Sequence, residues 1–361
     1  MKKNIIFFAE IGKTNLSSKA SEDLLLNLYS AIKKEDLINS VKLFCFPIFD
    51  KKNFFKWILY LGKKSFFSEG TIYLPSSSIK LIRDLIYIFY IIKASNQEKS
   101  SNIIIYNLNK LQLNLLIKLR LLINSEISFI QADGFLLDKY QLSFFKKVYV
   151  FSRYIYEIYK KLNHSTSIQY CLPFISEIKE KNLNLTSQTF SKKSEIIYFI
   201  HCGSISEYNL SSSKLRKLGL FCMKNKKFNV LFTTNQKDVP LYFQKLLNEF
   251  SENFLYFNNI NEKELFELLK KSHYGLELRD SKNFNSNIDF PSKLITYLNW
   301  QLPVISTFSN SIPIEFSEVL VNFDYLDNIK DDKYITFGDD LFLEIKKFIK
   351  NKSLNKSIIN I

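Results

Sequence analysis

The chain has 361 residues, a formal charge of +15 and 46% aliphatic and aromatic residues, enough for two domains with cores of their own, which excludes disorder as the main state. No run of about 18 uncharged apolar residues occurs, so no segment reads as a bilayer-spanning helix. The apolar run Ile5–Ala9 is too short for a signal peptide and ends at Glu10 without a small-residue cleavage site, so the chain is expected in the cytoplasm.

The first half alternates strand and helix. A strand over 4–9 leads through Glu10-Ile-Gly12 into a helix at about Ser18–Lys34, whose apolar face is Leu24, Leu25, Leu26, Leu28, Tyr29 and Ile32. Val41–Phe46 is the next strand, and the three elements make a βαβ unit with parallel strands. Segment 51–67 interleaves lysines with aromatics around Trp57. It reads either as a helix lying on an anionic membrane surface or as a core-facing helix with solvated lysines. Thr71–Leu74 is a short strand. The helix over Ser76–Lys93 carries Leu81, Ile82, Leu85, Ile86, Ile88, Phe89 and Ile92, an apolar surface wide enough to be buried on more than one side. Strands follow at Asn102–Asn107, Ile127–Ile130 and Val148–Ser152, with helices at about Leu111–Leu122 and Tyr154–Leu162 between and after them. Functional residues of open α/β sheets collect at the carboxyl ends of strands, where Asn107, Asp133 and Ser152-Arg153 stand, and Gly12 after the first strand permits a tight turn close to a ligand. Asp133, before Gly134, also suits a turn or a helix cap.

Residues 175–194 are polar and aperiodic, as a linker is. The alternation then restarts with a strand over Glu195–Ile200 that runs into His201-Cys-Gly203-Ser204. Strands at Phe228–Thr234, Phe254–Phe257 and His273–Leu278 are separated by helices, one of them opened by a capping-box pattern at Asn261–Glu264. Asp289–Thr307 reads as loop, short helix, turn and buried strand. Pro291 suits a helix start, and Val304-Ile305-Ser306-Thr307 a strand. The start of this helix gathers unpaired N–H groups and the positive end of the helix dipole, a natural seat for a phosphate or diphosphate. Val319–Phe323 and a terminal helix over Asp340–Lys350 end the pattern. There is no GxGxxG and no Walker A sequence. The four cysteines and three histidines are scattered without metal-ligand spacing, so neither a metal site nor a disulfide framework is expected. The positive charge has two sources to choose between, an AT-rich codon bias or a real basic surface. Without helix-turn-helix, RRM or zinc signatures, nucleic acid is not an expected partner.

The order of elements over 195–310, the Gly203-Ser-Ile-Ser-Glu loop, the strand ending Gly275-Leu-Glu-Leu-Arg279, and Phe290-Pro-Ser-Lys followed by Pro303-Val-Ile-Ser resemble GT-B glycosyltransferases of the family 4 / group 1 type. The resemblance implies an α/β GT-B protein of two Rossmann-like domains whose parallel sheets face a central cleft. Residues 1–175 would form the acceptor-side domain, 176–194 the linker, 195–338 the nucleotide-sugar domain and 339–361 a terminal helix and tail. It implies retaining transfer of a sugar from a nucleotide-sugar to a glycan or lipid-linked acceptor, without metal or cofactor. Donor contacts would come from Gly203, Ser204, Arg279, Asp289, Pro291, Ser292, Lys293 and Thr296, and acceptor contacts from Gly12, Asn107 and Asp133. Against these roles, Lys293 also reads as a solvated helix residue, and Arg279 as a partner of Asp280 or Asp289. The family's ribose-binding glutamate is replaced by Thr296. A hydroxyl cannot take two ribose hydroxyls as a carboxylate does, at a loss of roughly 1–2 kcal/mol. The second reading is therefore a catalytically degenerate GT-B-like binding or scaffold protein. No catalytic base is assigned. Segment 51–67 suits an enzyme at the inner membrane face, which makes cell-surface polysaccharide the expected destination.

Overall fold

The computed structural model describes residues 3–12, 25, 28–30, 32–33, 36, 38–48, 63–64, 71–97, 101–131, 135–162, 165–172, 196–280, 284–300, 302–307, 310–312, 315–316 and 320–328. They form two units. The first holds the described residues up to 172 together with Ile288–Phe290, and the second holds 196–287 and 291–328.

In the first unit the chain runs β1 (Lys3–Gly12), β2 (Ile38–Ile48), β3 (Lys63–Lys64), β4 (Thr71–Tyr73), α1 (Lys80–Gln97), β5 (Ser101–Tyr106) and α2 (Lys110–Lys118). It continues through β6 (Ile127–Gln131), α3 (Lys139–Leu142), β7 (Lys147–Val150), α4 (Arg153–Leu162) and β8 (Ser167–Tyr170). The sheet order is β3-β4-β2-β1-β5-β6-β7-β8, parallel except where β3 meets β4. Ile5 to Ala9 are all buried, because a central parallel strand is covered on both faces. Asn109 and Asp138 each cap a following helix reciprocally with a glutamine three residues on.

In the second unit β9 (Ile197–Cys202), α5 (Ser212–Lys224), β10 (Phe228–Thr234), α6 (Leu241–Glu249), β11 (Phe254–Asn258), α7 (Glu262–Lys271) and β12 (Tyr274–Glu277) alternate without a break. They are followed by α8 (Phe284–Ile288), α9 (Ser292–Asn299), β13 (Val304–Ser306) and β14 (Leu320–Asn322). The sheet order is β11-β10-β9-β12-β13-β14. The capping box read in the sequence is formed, with Asn261 Oδ1 accepting from the Glu264 N–H at 3.0 Å and Glu264 from the Asn261 N–H at 2.7 Å. Phe199, Phe228, Phe232 and Phe243 centre a separate core. Each unit is thus an α/β sheet with parallel central strands.

Several sequence expectations fall differently. Of segment 51–67 only Lys63–Lys64 is described, and these form a strand, not a helix. The linker 176–194 and the tail 339–361 lie outside the described residues. Leu25, Leu28, Tyr29 and Ile32 of the first helix are helical and buried as expected. The expected burial of the 76–93 helix on more than one side is corrected. Helix α1 starts at Lys80 and packs along one side, leaving Leu81, Ile82, Leu85 and Phe89 exposed. Apolar width alone did not reveal that Arg83 and Asp84 take the inward positions. Among the described residues no helix is long and apolar enough to cross a membrane.

Gly275 holds α9 against β12. A Cβ there would lie 2.3 Å from Tyr297 Cγ, so the ring lies flat over a strand with no side chain beneath it. Gly275→Ala is expected to cost about 2–3 kcal/mol, as overpacking of a filled core does. Urea denaturation checks this, and an unchanged midpoint would contradict it.

Candidate functional site

Strand order reverses at one place in each sheet. In the second unit the chain moves outward from β9 to β10 and β11, then returns to place β12 on β9's other side. Beyond the carboxyl ends of such a pair the connections diverge, and a ligand finds open backbone. Here Cys202-Gly203-Ser204 leaves β9 and Leu278-Arg279 leaves β12.

Gly203 has φ +112°, a left-handed conformation that costs other residues more than glycine. A Cβ at this position would lie 3.0 Å from Lys293 Cε, so the glycine also clears the path of the lysine side chain. Lys293 is the second residue of α9. Pro291 precedes the helix, and no side chain caps its N-terminus. Ser292 and Lys293 therefore bring the first N–H groups and an ammonium to one place, where an anion gains about 0.3–1 kcal/mol from the dipole alone. Lys293 Nζ lies 3.1 Å from His201 Nε2, which is also 3.4 Å from the Ser204 carbonyl oxygen. His201 is fully buried, and burial followed by the nearby Lys293 charge holds its pKa well below the ordinary value. The imidazole is neutral, and its Nε2 lone pair can accept from the ammonium.

Arg279 is held from several sides. Its Nε lies 3.2 Å from Glu277 Oε1, and its guanidinium carbon 5.2 Å from the centre of the Tyr208 ring. Its carbonyl accepts from Lys214 Nζ at 2.7 Å and from Thr307 Oγ1 at 2.8 Å. Glu277, two residues back, is thus a partner of Arg279 that the sequence reading did not offer beside Asp280 and Asp289. Glu277 is buried within β12, and Ser306 Oγ donates to its Oε2 at 3.4 Å. Burial raises the Glu277 carboxyl above its usual range despite the opposing pull of Arg279 and Lys293. Lys293 moves the other way, down to about 7, through burial first and then the repulsion of Arg279. Among the described residues its hydrogen-bonding side-chain partner is the neutral His201, and Glu277 acts on it only through its field, without a close ion pair.

Tyr297, on the inner face of α9, locks the arrangement. Its hydroxyl accepts from the Cys202 N–H at 2.9 Å and donates to the Leu276 carbonyl at 3.4 Å, linking the helix to both strand ends. Gln236, after β10, donates to the Ile205 carbonyl at 3.2 Å and accepts from the Ile205 N–H. Asn209 Nδ2 donates to Ser204 Oγ at 2.6 Å. The loop after β9 is thereby fixed.

Gly203, Ser204, Arg279, Pro291, Ser292 and Lys293 thus come together around one strand-end site, and Thr296 follows one turn further along α9. Asp289 lies in Ile288–Phe290, the stretch grouped with the first unit. In the first unit Gly12 ends β1 and Asn107 follows β5, its neighbour across that sheet's own reversal point. Asn107 has φ +52° and donates its N–H to the Ile130 carbonyl at 3.0 Å. Asp133 lies outside the described residues. His201, Glu277 and Tyr297 are the contributors without a role in the sequence reading. The signal for Glu277 was present, since a carboxylate inside a buried strand requires a charged partner close by. Among the described residues no group of three or more His, Cys, Asp or Glu is placed to hold a metal. Cys45, Cys171 and Cys222 are buried free thiols, and Cys202 is partly so.

No protein-family model matches the sequence, and no curated protein matches it. Solved structures match over nearly the whole chain. A UDP-forming α,α-trehalose-phosphate synthase from Burkholderia vietnamiensis is 10% identical with TM-score 0.62, covering all of both chains. A glycosyltransferase from Rickettsia africae is 11% identical with TM-score 0.60, covering 98% of this chain and 95% of its own. WaaG, a glycosyltransferase involved in lipopolysaccharide biosynthesis, is 11% identical with TM-score 0.56 and 98% coverage of each chain. The likeness establishes a glycosyltransferase fold of the GT-B kind.

Lys293 ties site to stability. Between about pH 7 and 10 the unfolded lysine keeps its proton while the folded one sheds it, so this residue's contribution to stability rises with pH. Stability measured against Lys293→Met should therefore rise across that window, by at most about 1.4 kcal/mol per pH unit. Denaturant melts of both proteins at several pH values check this. A difference that stays constant would contradict the burial of the ammonium.

Proposed function

We propose that the chain is a glycosyltransferase of the family 4 / group 1 type, transferring a sugar from a nucleotide-sugar donor to a glycan or lipid-linked acceptor. One observation carries this reading. The Lys293 amine, which among the described residues forms no close ion pair and feels the Glu277 carboxylate only at longer range, stands at an uncapped helix N-terminus, beside a glycine turn, where the sheet order reverses. Such a place favours an anion with several oxygens, and the leaving group of a nucleotide-sugar is a diphosphate.

In this reading Lys293 and the first N–H groups of α9 take the diphosphate oxygens, and Gly203 and Ser204 offer backbone from the facing strand end. Arg279 adds positive charge while Glu277 fixes its direction. As the glycosidic bond breaks, negative charge grows on the departing diphosphate, and donors already in place lower the barrier. The transfer is retaining and independent of metal or cofactor, and no general base is assigned. Thr296 holds a ribose hydroxyl less firmly than a carboxylate would. On the acceptor side the reading keeps Gly12, Asn107 and Asp133. The neighbour described as UDP-forming supports a nucleotide donor, and the one involved in lipopolysaccharide biosynthesis supports a surface-polysaccharide product. The enzyme would work at the cytoplasmic face of the membrane, with segment 51–67 meeting anionic lipid. Thr296 also favours a second reading, in which a degenerate member binds nucleotide without transfer.

Thermal-shift titration with UDP-, GDP- and ADP-sugars tests the proposal. One nucleotide class is expected to stabilise the chain by about 2.7 kcal/mol at a hundredfold excess over Kd. Lys293→Ala should weaken that nucleotide about tenfold or more. No stabilisation by any of them would overturn the transferase reading and favour a scaffold, and binding without sugar release to any acceptor would favour a degenerate binding protein.

A further inference from the structure

Helix α1 presents its polarity the wrong way round for a helix on a water-facing surface. Arg83 and Asp84 are buried, while Leu81, Leu85 and Phe89 are 55%, 49% and 60% exposed. The inward pair belongs to a polar cluster with β1 and α2. Arg83 Nε lies 3.5 Å from Glu10 Oε1, and Asp84 Oδ1 accepts from Gln112 Nε2 at 2.9 Å and from Asn109 Nδ2 at 3.1 Å.

At about 100° per residue, Leu81, Leu85, Phe89, Ile82 and Lys93 fall within one outward arc of roughly 120°. Asn96 lies in the same arc. It donates to the Leu122 carbonyl at 3.2 Å and accepts from Asn124 at 2.7 Å, which sets the turn Arg120–Leu122 against the end of α1. Leu121, 95% exposed, and Leu122 continue the apolar surface there. The charged residues exposed on α1, α2 and this turn are Lys80, Lys93, Lys110, Lys118 and Arg120, the last with its guanidinium carbon 5.9 Å from the centre of the Phe144 ring. Across α1, α2 and this turn the single acidic residue is Asp84, which is buried. An exposed apolar face of this extent marks an interaction surface. Its charge selects the occupant. A second copy would set these cations against their own counterparts, and water gains nothing from the leucines.

We propose that this face of the first unit docks on the surface of an anionic phospholipid bilayer, with Leu81, Leu85, Phe89 and Leu121 entering the boundary between headgroups and acyl chains. Lys80 and Lys93 of α1, with the lysines of α2, meet the lipid phosphates. The inference goes beyond the donor chemistry, and it places the contact on α1, independently of segment 51–67.

Flotation of the full chain with vesicles of phosphatidylcholine, alone or mixed with phosphatidylglycerol, tests it. The wild type is expected to float with the anionic vesicles, less at high salt and little with phosphatidylcholine alone. Leu85→Glu/Phe89→Glu should weaken that binding at least about tenfold. Leu220→Glu, which alters an exposed leucine on α5, should leave it unchanged. Circular dichroism melts confirm that the variants fold, and Leu85→Ser/Phe89→Ser gives a second pair without added charge. The proposal is overturned if both double variants float like wild type, or if lipid charge makes no difference. Light scattering that shows a wild-type dimer dissolved by either double variant would equally overturn it, by assigning the face to a second copy.

Discussion

The second unit is organised around a buried carboxylate. Glu277 lies inside a fully buried strand, where an unpaired charge is expensive, and its ion pair with Arg279 compensates for that position. The pair fixes the guanidinium at the end of β12, and the positive field of Arg279 in turn opposes the ammonium of Lys293. Arg279 and Lys293 are thus held close together, with the Glu277 carboxylate buried beside Arg279. The geometry is shared between β9, β12 and α9, and the Tyr297 hydroxyl joins all three. Gly203 and Gly275 provide the clearances, one for Lys293 and one for the Tyr297 ring.

Much of this architecture was legible in the sequence because it rests on local rules. Continuous β-branched and aromatic runs announced the buried strands, and Asn261–Glu264 announced its helix. Pro291-Ser292-Lys293 announced a helix start with a cation in its first turn. What was not legible depends on contacts between distant segments. His201 meets Lys293 across 92 positions of chain, and nothing in the spacing of three scattered histidines reveals it. Arg279 had three acidic residues nearby in sequence, and the spacing alone did not reveal that Glu277, buried within β12, pairs with it. The apolar pattern of α1 gave a helix but not which side would face the sheet, because its charged pair is satisfied inside by Glu10, Gln112 and Asn109.

The two units use the same topological device differently. Each sheet reverses order once, and each reversal point gathers polar residues at strand ends. In the second unit the gathered groups are cationic and glycine-flanked, suited to phosphate. In the first, Glu10 at the end of β1 is raised above its ordinary pKa by burial, against the pull of Arg83 and Gln112. A carboxyl of that kind, with amides beside it, suits hydroxyl-bearing molecules more than phosphates.

The central claim is that the strand-end site recognises a diphosphate through Lys293. Isothermal titration of the nucleoside diphosphates UDP, GDP and ADP, each against its parent nucleoside, measures that recognition directly in the wild type and in Lys293→Met. The account predicts one diphosphate binding at least about tenfold more tightly than its nucleoside, with the advantage largely lost in the variant. Equal affinity for nucleoside and diphosphate, or an advantage that survives the loss of Lys293, would contradict it.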